Sequence, residues 1–193
     1  MKETAPSATS TAAVVVRRLA VTDRPGVQRM LGRCSPRTLQ QRFAAAAPAP
    51  HWFADSVVSH SAVIGIGAWC GDDLVGVGSV HLREDAPEFA ILIEDTWQRR
   101  RVGARLIRAM SDQAVATGWH HAVVEFLVTN TAARALLLSS CTHVWFSPPD
   151  AGLVSGLVLL RSRATPPIDD GSTERLPGRP ACRRPGPEDG RNG

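Results

Sequence analysis

Between Val63 and Ala114 the apolar residues change their period from two to about 3.6, and that switch constrains the fold more than any other feature of the chain. Val63–Cys70 and Leu74–Leu82 read as strands, separated by Gly71-Asp72-Asp73, a three-residue loop with a glycine that suggests a hairpin. Pro87–Asp95 reads as a third strand of the same meander. Val102, Leu106, Ala109, Met110 and Ala114 then fall on one helical face, and Gly118 closes that element. A meander that feeds a helix needs a partner for the last strand, and His121–Val128 supplies a run of the right kind.

The flanking segments complete the pattern. Val14–Arg18 is a short β-branched strand. Asp23 offers a helix cap with Pro25 in the first turn, and Val27, Met30, Leu31 and Cys34 mark the buried face. Ser35-Pro36 restarts a helix, with Leu39, Phe43 and Ala46 on its apolar side, and a Pro/Ala loop follows. After His121–Val128, a short helix opens at Asn130 with Ala133, Leu136 and Leu137 inward, and Thr142–Phe146 and Leu153–Leu160 read as two last strands. The predicted order is β-α-α-β-β-β-α-β-α-β-β. It implies an α/β (α+β) domain with a mixed, mostly antiparallel central sheet and helices on both faces.

Composition narrows the setting. Of 193 residues, 44% are hydrophobic and 21% charged, the balance of a globular domain with a core of its own. We expect a flexible leader over 1–13, one domain over 14–163 and a disordered Pro/Gly/Arg-rich tail over 164–193. In that tail 11 of 30 residues are Pro or Gly and large apolar side chains are almost absent. Net charge is only +4, and the basic residues, all arginine but for Lys2, are dispersed and lack aromatic interleaving, which argues against nucleic acid. Cys34, Cys70, Cys141 and Cys182 have no C-x-x-C spacing, and His120-His121 are adjacent rather than a turn apart, so no metal site is expected. The first apolar stretch, Ala12–Val16, is too short for a signal peptide, and Ala62–Cys70 is too short to span a bilayer. The expectation is a soluble, cytoplasmic protein without a membrane partner.

The segment that carries chemistry runs from Ala90 to Leu106. It is a buried strand, a turn, and a helix start crowded with Arg99, Arg100, Arg101 and Gly103. Free N–H groups and the positive end of the helix dipole make such a start a natural seat for a pyrophosphate, and a glycine lets a ligand approach closely. Taken alone, the same residues also fit a solvated, arginine-rich helix start.

With the order of elements added, the chain resembles the GCN5-related N-acetyltransferase superfamily, and bacterial members in particular. Ile93-Glu94-Asp95-Thr96-Trp97-Gln98-Arg99-Arg100-Arg101-Val102-Gly103 is similar to that family's strand and its Gln/Arg-x-x-Gly-x-Gly/Ala loop. Gln98 and Gly103 match, and Arg101 stands where the first glycine is expected. Asn130-x-x-Ala133-x-x-Leu136 is similar to the family's second landmark, and Cys34 to Phe43 resembles its first helices. The resemblance spans roughly Val14 to Arg163.

It implies acetyl-CoA as co-substrate and an amine acceptor, on a small molecule or a protein, and leaves room for a homodimer. Main-chain groups of Ile91 and Ile93 would pair with the pantetheine arm. The amides of Gln98, Arg99, Arg100, Arg101, Val102, Gly103 and Ala104 would hold the pyrophosphate. Asn130 would bond the pantetheine or bridge the strands, a role compatible with plain helix capping. Glu88 stands where the family places its general base, with Glu125 a second candidate on the neighbouring strand. Two positions depart from the family. Arg101 is accommodated if its backbone is helical and strained if its φ is positive. Seven residues after Asn130, where many members carry a thiolate-protonating Tyr, this chain has Leu137 and no Tyr anywhere, so Ser139, Ser140, Cys141 or water would have to substitute. The alternative to an enzyme is therefore an acyl-CoA-binding sensor that does not turn over.

Overall fold

The structure, a computed structural model, describes residues 13–44 and 46–160. The expected tail and, except for Ala13, the expected leader lie outside the described residues. Within the described residues seven strands form one sheet: β1 (Val15–Arg18), β2 (Val63–Cys70), β3 (Asp73–His81), β4 (Glu88–Ile93), β5 (His121–Leu127), β6 (Val144–Phe146) and β7 (Leu153–Leu159). Their spatial order is β1-β2-β3-β4-β5-β7-β6, with every neighbouring pair antiparallel except β4 and β5.

Among the described residues five α-helices cover the sheet: α1 (Arg24–Arg33), α2 (Pro36–Phe43), α3 (Pro50–Ser59), α4 (Val102–Ala116) and α5 (Thr131–Ser140). Two apolar clusters form. Val27, Met30, Phe53 and Val57 of α1 and α3 meet Val77 and Leu92 on one face, and Val102, Leu106 and Met110 of α4 meet Ile64, Ile66, Phe89 and Val124 on the other. The mixed sheet with helices on both faces is thus observed.

α3 is not among the elements expected from the sequence, where 47–62 read as a Pro/Ala loop. Its signal is present: Pro50 sits in the first turn, and Phe53 and Val57 are spaced i, i+4 and buried. Ala46 is exposed and beyond α2, which stops at Phe43 because Ala44 adopts φ 54°. The β2–β3 turn has two residues rather than three, since Asp73 already pairs with Cys70 and Gly71 takes φ 59°. Asp23 does precede α1 but does not cap it with its side chain. Its carboxylate instead accepts from Ala20 N at 2.8 Å and from Arg17 Nη1 at 2.7 Å and Nη2 at 2.8 Å.

Strand glycines set how closely the helices lie. A Cβ on Gly65 would stand 2.0 Å from the Val57 carbonyl oxygen of α3, and one on Gly78 would stand 2.8 Å from Met110 Sδ of α4. Both helices therefore rest directly on backbone, which fixes α4 over β3 and β4. Among the described residues no helix is long and apolar enough to cross a membrane.

Candidate active site

β4 and β5 pair at only two positions, Glu88 with Val123 and Phe89 with Val124. Val123 N donates to Pro87 O at 2.8 Å, so the odd-numbered residues of β4 turn their main-chain groups toward β5. Past Phe89 the strands part, and the groups of Ile91 and Ile93 face an opening. Gln41, Phe43, Ile91, Phe126, Asn130 and Leu137 are among the residues that line a cavity of about 220 Å³ there, with Arg42, Glu88 and Glu125 also on its wall.

At one end of this opening lies the start of α4. The first helical hydrogen bond is Arg105 N to Arg101 O at 3.2 Å, so the amides from Arg99 to Ala104 precede it and find no protein acceptor among the described residues. Arg99 has φ 58° and Arg101 φ 62°, whereas Arg100 between them is not left-handed. Alternating handedness turns successive N–H groups to one side, and such a concave row binds anions. The family's glycine is replaced by an arginine that nevertheless takes the glycine-like conformation, at a cost on the order of 1–2 kcal/mol per such residue. The three arginine side chains are exposed, and that of Arg100 stacks 5.1 Å over the Trp97 ring.

Gln98 plays a different part from the one expected of it, and the absence of a side chain at Gly103 has a packing reason of its own. The Gln98 amide already donates to Asp95 O at 3.3 Å, while its side chain donates to Thr38 Oγ1 at 3.1 Å and to Ile93 O at 3.2 Å. Gln98 thus buttresses the loop from behind. A Cβ on Gly103 would stand 2.7 Å from Leu136 Cδ2 and 3.2 Å from Ile93 Cδ1, so this glycine makes room for Leu136 of α5.

Behind the loop, α2 is bolted to the turn after β4. Ser35 caps α2 by accepting from Thr38 N at 3.2 Å. Asp95 accepts from Ser35 N (2.8 Å), Ser35 Oγ (2.7 Å) and Thr38 Oγ1 (2.8 Å). Burial raises the Asp95 pKa, but these hydrogen bonds outweigh it and hold the carboxyl below its ordinary value. Next to it Arg33 Nε donates to Glu94 Oε2 at 2.9 Å, and Arg33 Nη2 donates to Leu74 O at 2.7 Å. No local sequence pattern announces this network, because Ser35 and Asp95 are 60 residues apart.

At the other end of the opening Glu88 begins β4, half-buried, opposite His81. Arg83 Nε donates to Glu88 Oε2 at 2.9 Å, and Arg83 Nη2 contacts the same oxygen. Glu88 Oε1 therefore has no protein donor among the described residues. His81 lies below its ordinary pKa, chiefly through burial and also through the positive charge of Arg42, and its Nε2 is 2.9 Å from Ser79 Oγ. Glu125 is exposed on the cavity wall. Asn130 caps α5, with Oδ1 accepting from Ala133 N at 3.0 Å, which leaves its NH2 group as a donor at the cavity. Leu137 also faces the cavity and is buried, whereas Ser139, Ser140 and Cys141 are not on its wall.

A parallel strand pair that opens beside a helix start lined with free amides is the architecture of acyl-CoA N-acyltransferases. Residues 26–141 match the model of the Acetyltransferase (GNAT) family, and the chain belongs to that family. Among solved structures, it is similar to the GNAT domain of S. lividans PAT, with 19% identity, a TM-score of 0.68, and coverage of 75% of this chain and 89% of that one. The ribosomal-protein-S18-alanine N-acetyltransferase of Escherichia coli gives 16% identity, a TM-score of 0.61, and coverage of 78% and 96%. YncA, a putative acetyltransferase from Salmonella typhimurium with its cofactor acetyl-CoA, gives 15%, 0.61, and 81% and 99%. These likenesses are likenesses of fold. A comparison with curated protein sequences finds no match.

Proposed function

We propose that this protein moves an acetyl group from acetyl-CoA to an amine of a small molecule or a protein, by direct attack within a ternary complex in the cytoplasm. The observation that carries the reading is the concave row of free amides from Arg99 to Ala104, set beside strands that part after Phe89. The amides and the α4 dipole suit a pyrophosphate, with exposed Arg99, Arg100 and Arg101 adding charge. Ile91 offers both main-chain groups to a pantetheine arm, and Ile93 offers its N–H, its carbonyl being taken by Gln98. The Asn130 NH2 can donate to the same arm. Cys34 and Cys141 are unpaired thiols, which supports a reducing compartment.

Acetyl-CoA supplies an activated thioester. The residues of this chain must then place it, remove one proton from the attacking amine and tolerate a departing thiolate. Glu88 Oε1 is the group on the cavity wall suited to take that proton, directly or through one water. Arg83 is exposed, so its ion pair with Oε2 is weak and steers the carboxylate rather than locking it. Leu137 can donate nothing to the thiolate.

Leu137 is also the observation that favours the second reading, an acyl-CoA-binding domain that regulates without turnover. Calorimetry with acetyl-CoA followed by thiol release with a panel of amines separates the two. Leu137→Tyr places a hydroxyl at the cavity wall, and we expect it to raise the rate of CoA release above wild type. Binding of acetyl-CoA without release by either protein would make the sensor the correct reading.

A further inference from the structure

Arg42, in the last turn of α2, is a half-buried cation on the cavity wall without an ion-pair partner among the described residues. Its guanidinium lies 4.9 Å over the ring of its neighbour Phe43, and among the described residues it makes no ion pair or hydrogen bond. The nearby carboxylate that acts on it, Glu88, is engaged through Oε2 by Arg83. Burial pulls the Arg42 guanidinium below its ordinary pKa, and Glu88 only partly offsets this.

An arginine has five N–H donors in a planar fork, and a side chain of this kind is seldom taken out of water unless they are met. A ring face answers the charge weakly and the donors not at all. The neighbouring basic residues make the imbalance sharper. Arg42 and Arg83 face one carboxylate, and burial and the charge of Arg42 both hold His81 toward its neutral form. Arg42 lines the same cavity as Glu88, so its unmet donors are available to a ligand held there.

Resting on the acyl-transfer reading above, we propose that Arg42 is a specificity-determining residue that binds a carboxylate carried by one of the two substrates. The carboxylate belongs either to the amine acceptor, as in an amino acid or an acidic peptide end, or to the acyl group, as in a dicarboxylic acyl-CoA. Glu88 Oε1 would face the ammonium of an amino-acid acceptor while Arg42 took its carboxylate. A succinyl chain would reach the same guanidinium from the thioester side.

The test is steady-state CoA release by the full chain in two arms. One arm compares amino acids with their amides, with acetyl-CoA as donor; the other compares succinyl-CoA with acetyl-CoA, using amino-acid amides as acceptors. We expect one arm to show a preference of about tenfold in kcat/KM for the carboxylated substrate, the scale of one charge-assisted hydrogen-bonded pair. Arg42→Gln should abolish that preference through KM while leaving the uncharged substrate nearly unchanged. Arg42→Lys should restore part of it, since lysine keeps the charge but not the fork. The proposal is overturned if neither arm shows a preference, or if Arg42→Gln slows both members of a pair alike. Calorimetric titration with acetyl-CoA separates the two levels. Wild type that fails to bind acetyl-CoA, or that binds it and releases no CoA in either arm, refutes the acyl-transfer reading itself, whereas release without a preference in either arm refutes the role of Arg42.

Discussion

The two ends of the opening beside β4 are built from different materials. The α4 end is made of main chain: six consecutive amides from Arg99 to Ala104, held in place by Gln98, Thr38 and Asp95 behind them. The opposite end is made of side chains: Glu88, Arg83, His81 and Arg42. A site made of amides depends on backbone shape, so an arginine can stand where the family carries glycine if the loop can bear its φ of 62°. A site made of side chains depends on chemical identity. Departures from a family pattern therefore mean less at the first end than at the second.

The sharpest way to break this contrast is Glu88→Gln, which keeps shape and removes the base. On our reading turnover falls by about 10²–10⁴-fold, the range of general acid–base assistance, while calorimetric affinity for acetyl-CoA stays within about twofold. The loss should shrink at high pH, where the amine is already neutral. Undiminished turnover at pH 7 would move the base elsewhere, with Glu125 the next candidate.

Gly103→Asp probes the main-chain end. The new side chain meets Leu136 and Ile93, which pushes α5 away from α4 and brings a negative charge to the anion seat. We expect weaker acetyl-CoA binding by more than about tenfold, together with a stability loss of about 1–3 kcal/mol from crowding. Unchanged affinity would remove the α4 start from the site.

Arg101→Gly separates shape from charge at the same end. Relief of the left-handed strain, set against the added freedom of glycine in the unfolded chain, should raise stability by roughly 1 kcal/mol in urea unfolding. If backbone shape dominates the seat, acetyl-CoA affinity falls by less than about tenfold despite the lost cation. A far larger fall would make Arg101 a side-chain ligand and blur the contrast.

The smallest effect concerns His81. Its folded pKa lies below the ordinary 6.5, so the unfolded chain binds the proton more readily. Stability from the neutral imidazole is present above pH 6.5 and lost as pH falls through the folded value. Urea midpoints across that window should therefore slope less steeply in His81→Gln than in wild type. Parallel slopes would show that His81 is not held neutral.

Most of the scaffold is legible in the chain alone. Period-two runs over β2 to β4, the helical face of α4, the Ser35 cap and the Asn130 cap all rest on contacts between residues close in the chain, which is why they are legible. α3 escaped because proline and alanine dominate its approach, although Phe53 and Val57 carried its signal. The sequence also named the segment that holds the free amides. Which groups meet is settled by the packing of distant elements. It put the Gln98 side chain on Thr38 and Ile93, set Gly103 against Leu136, and gave Oε2 of Glu88 to Arg83. It also chose between the two conformations open to Arg101, giving it the left-handed one. The physical reason is common to these cases. A helix or strand is specified by local period and caps, whereas the partner of a polar side chain depends on how strands and helices distant in sequence are brought together, as Ser35 and Asp95 are across 60 residues.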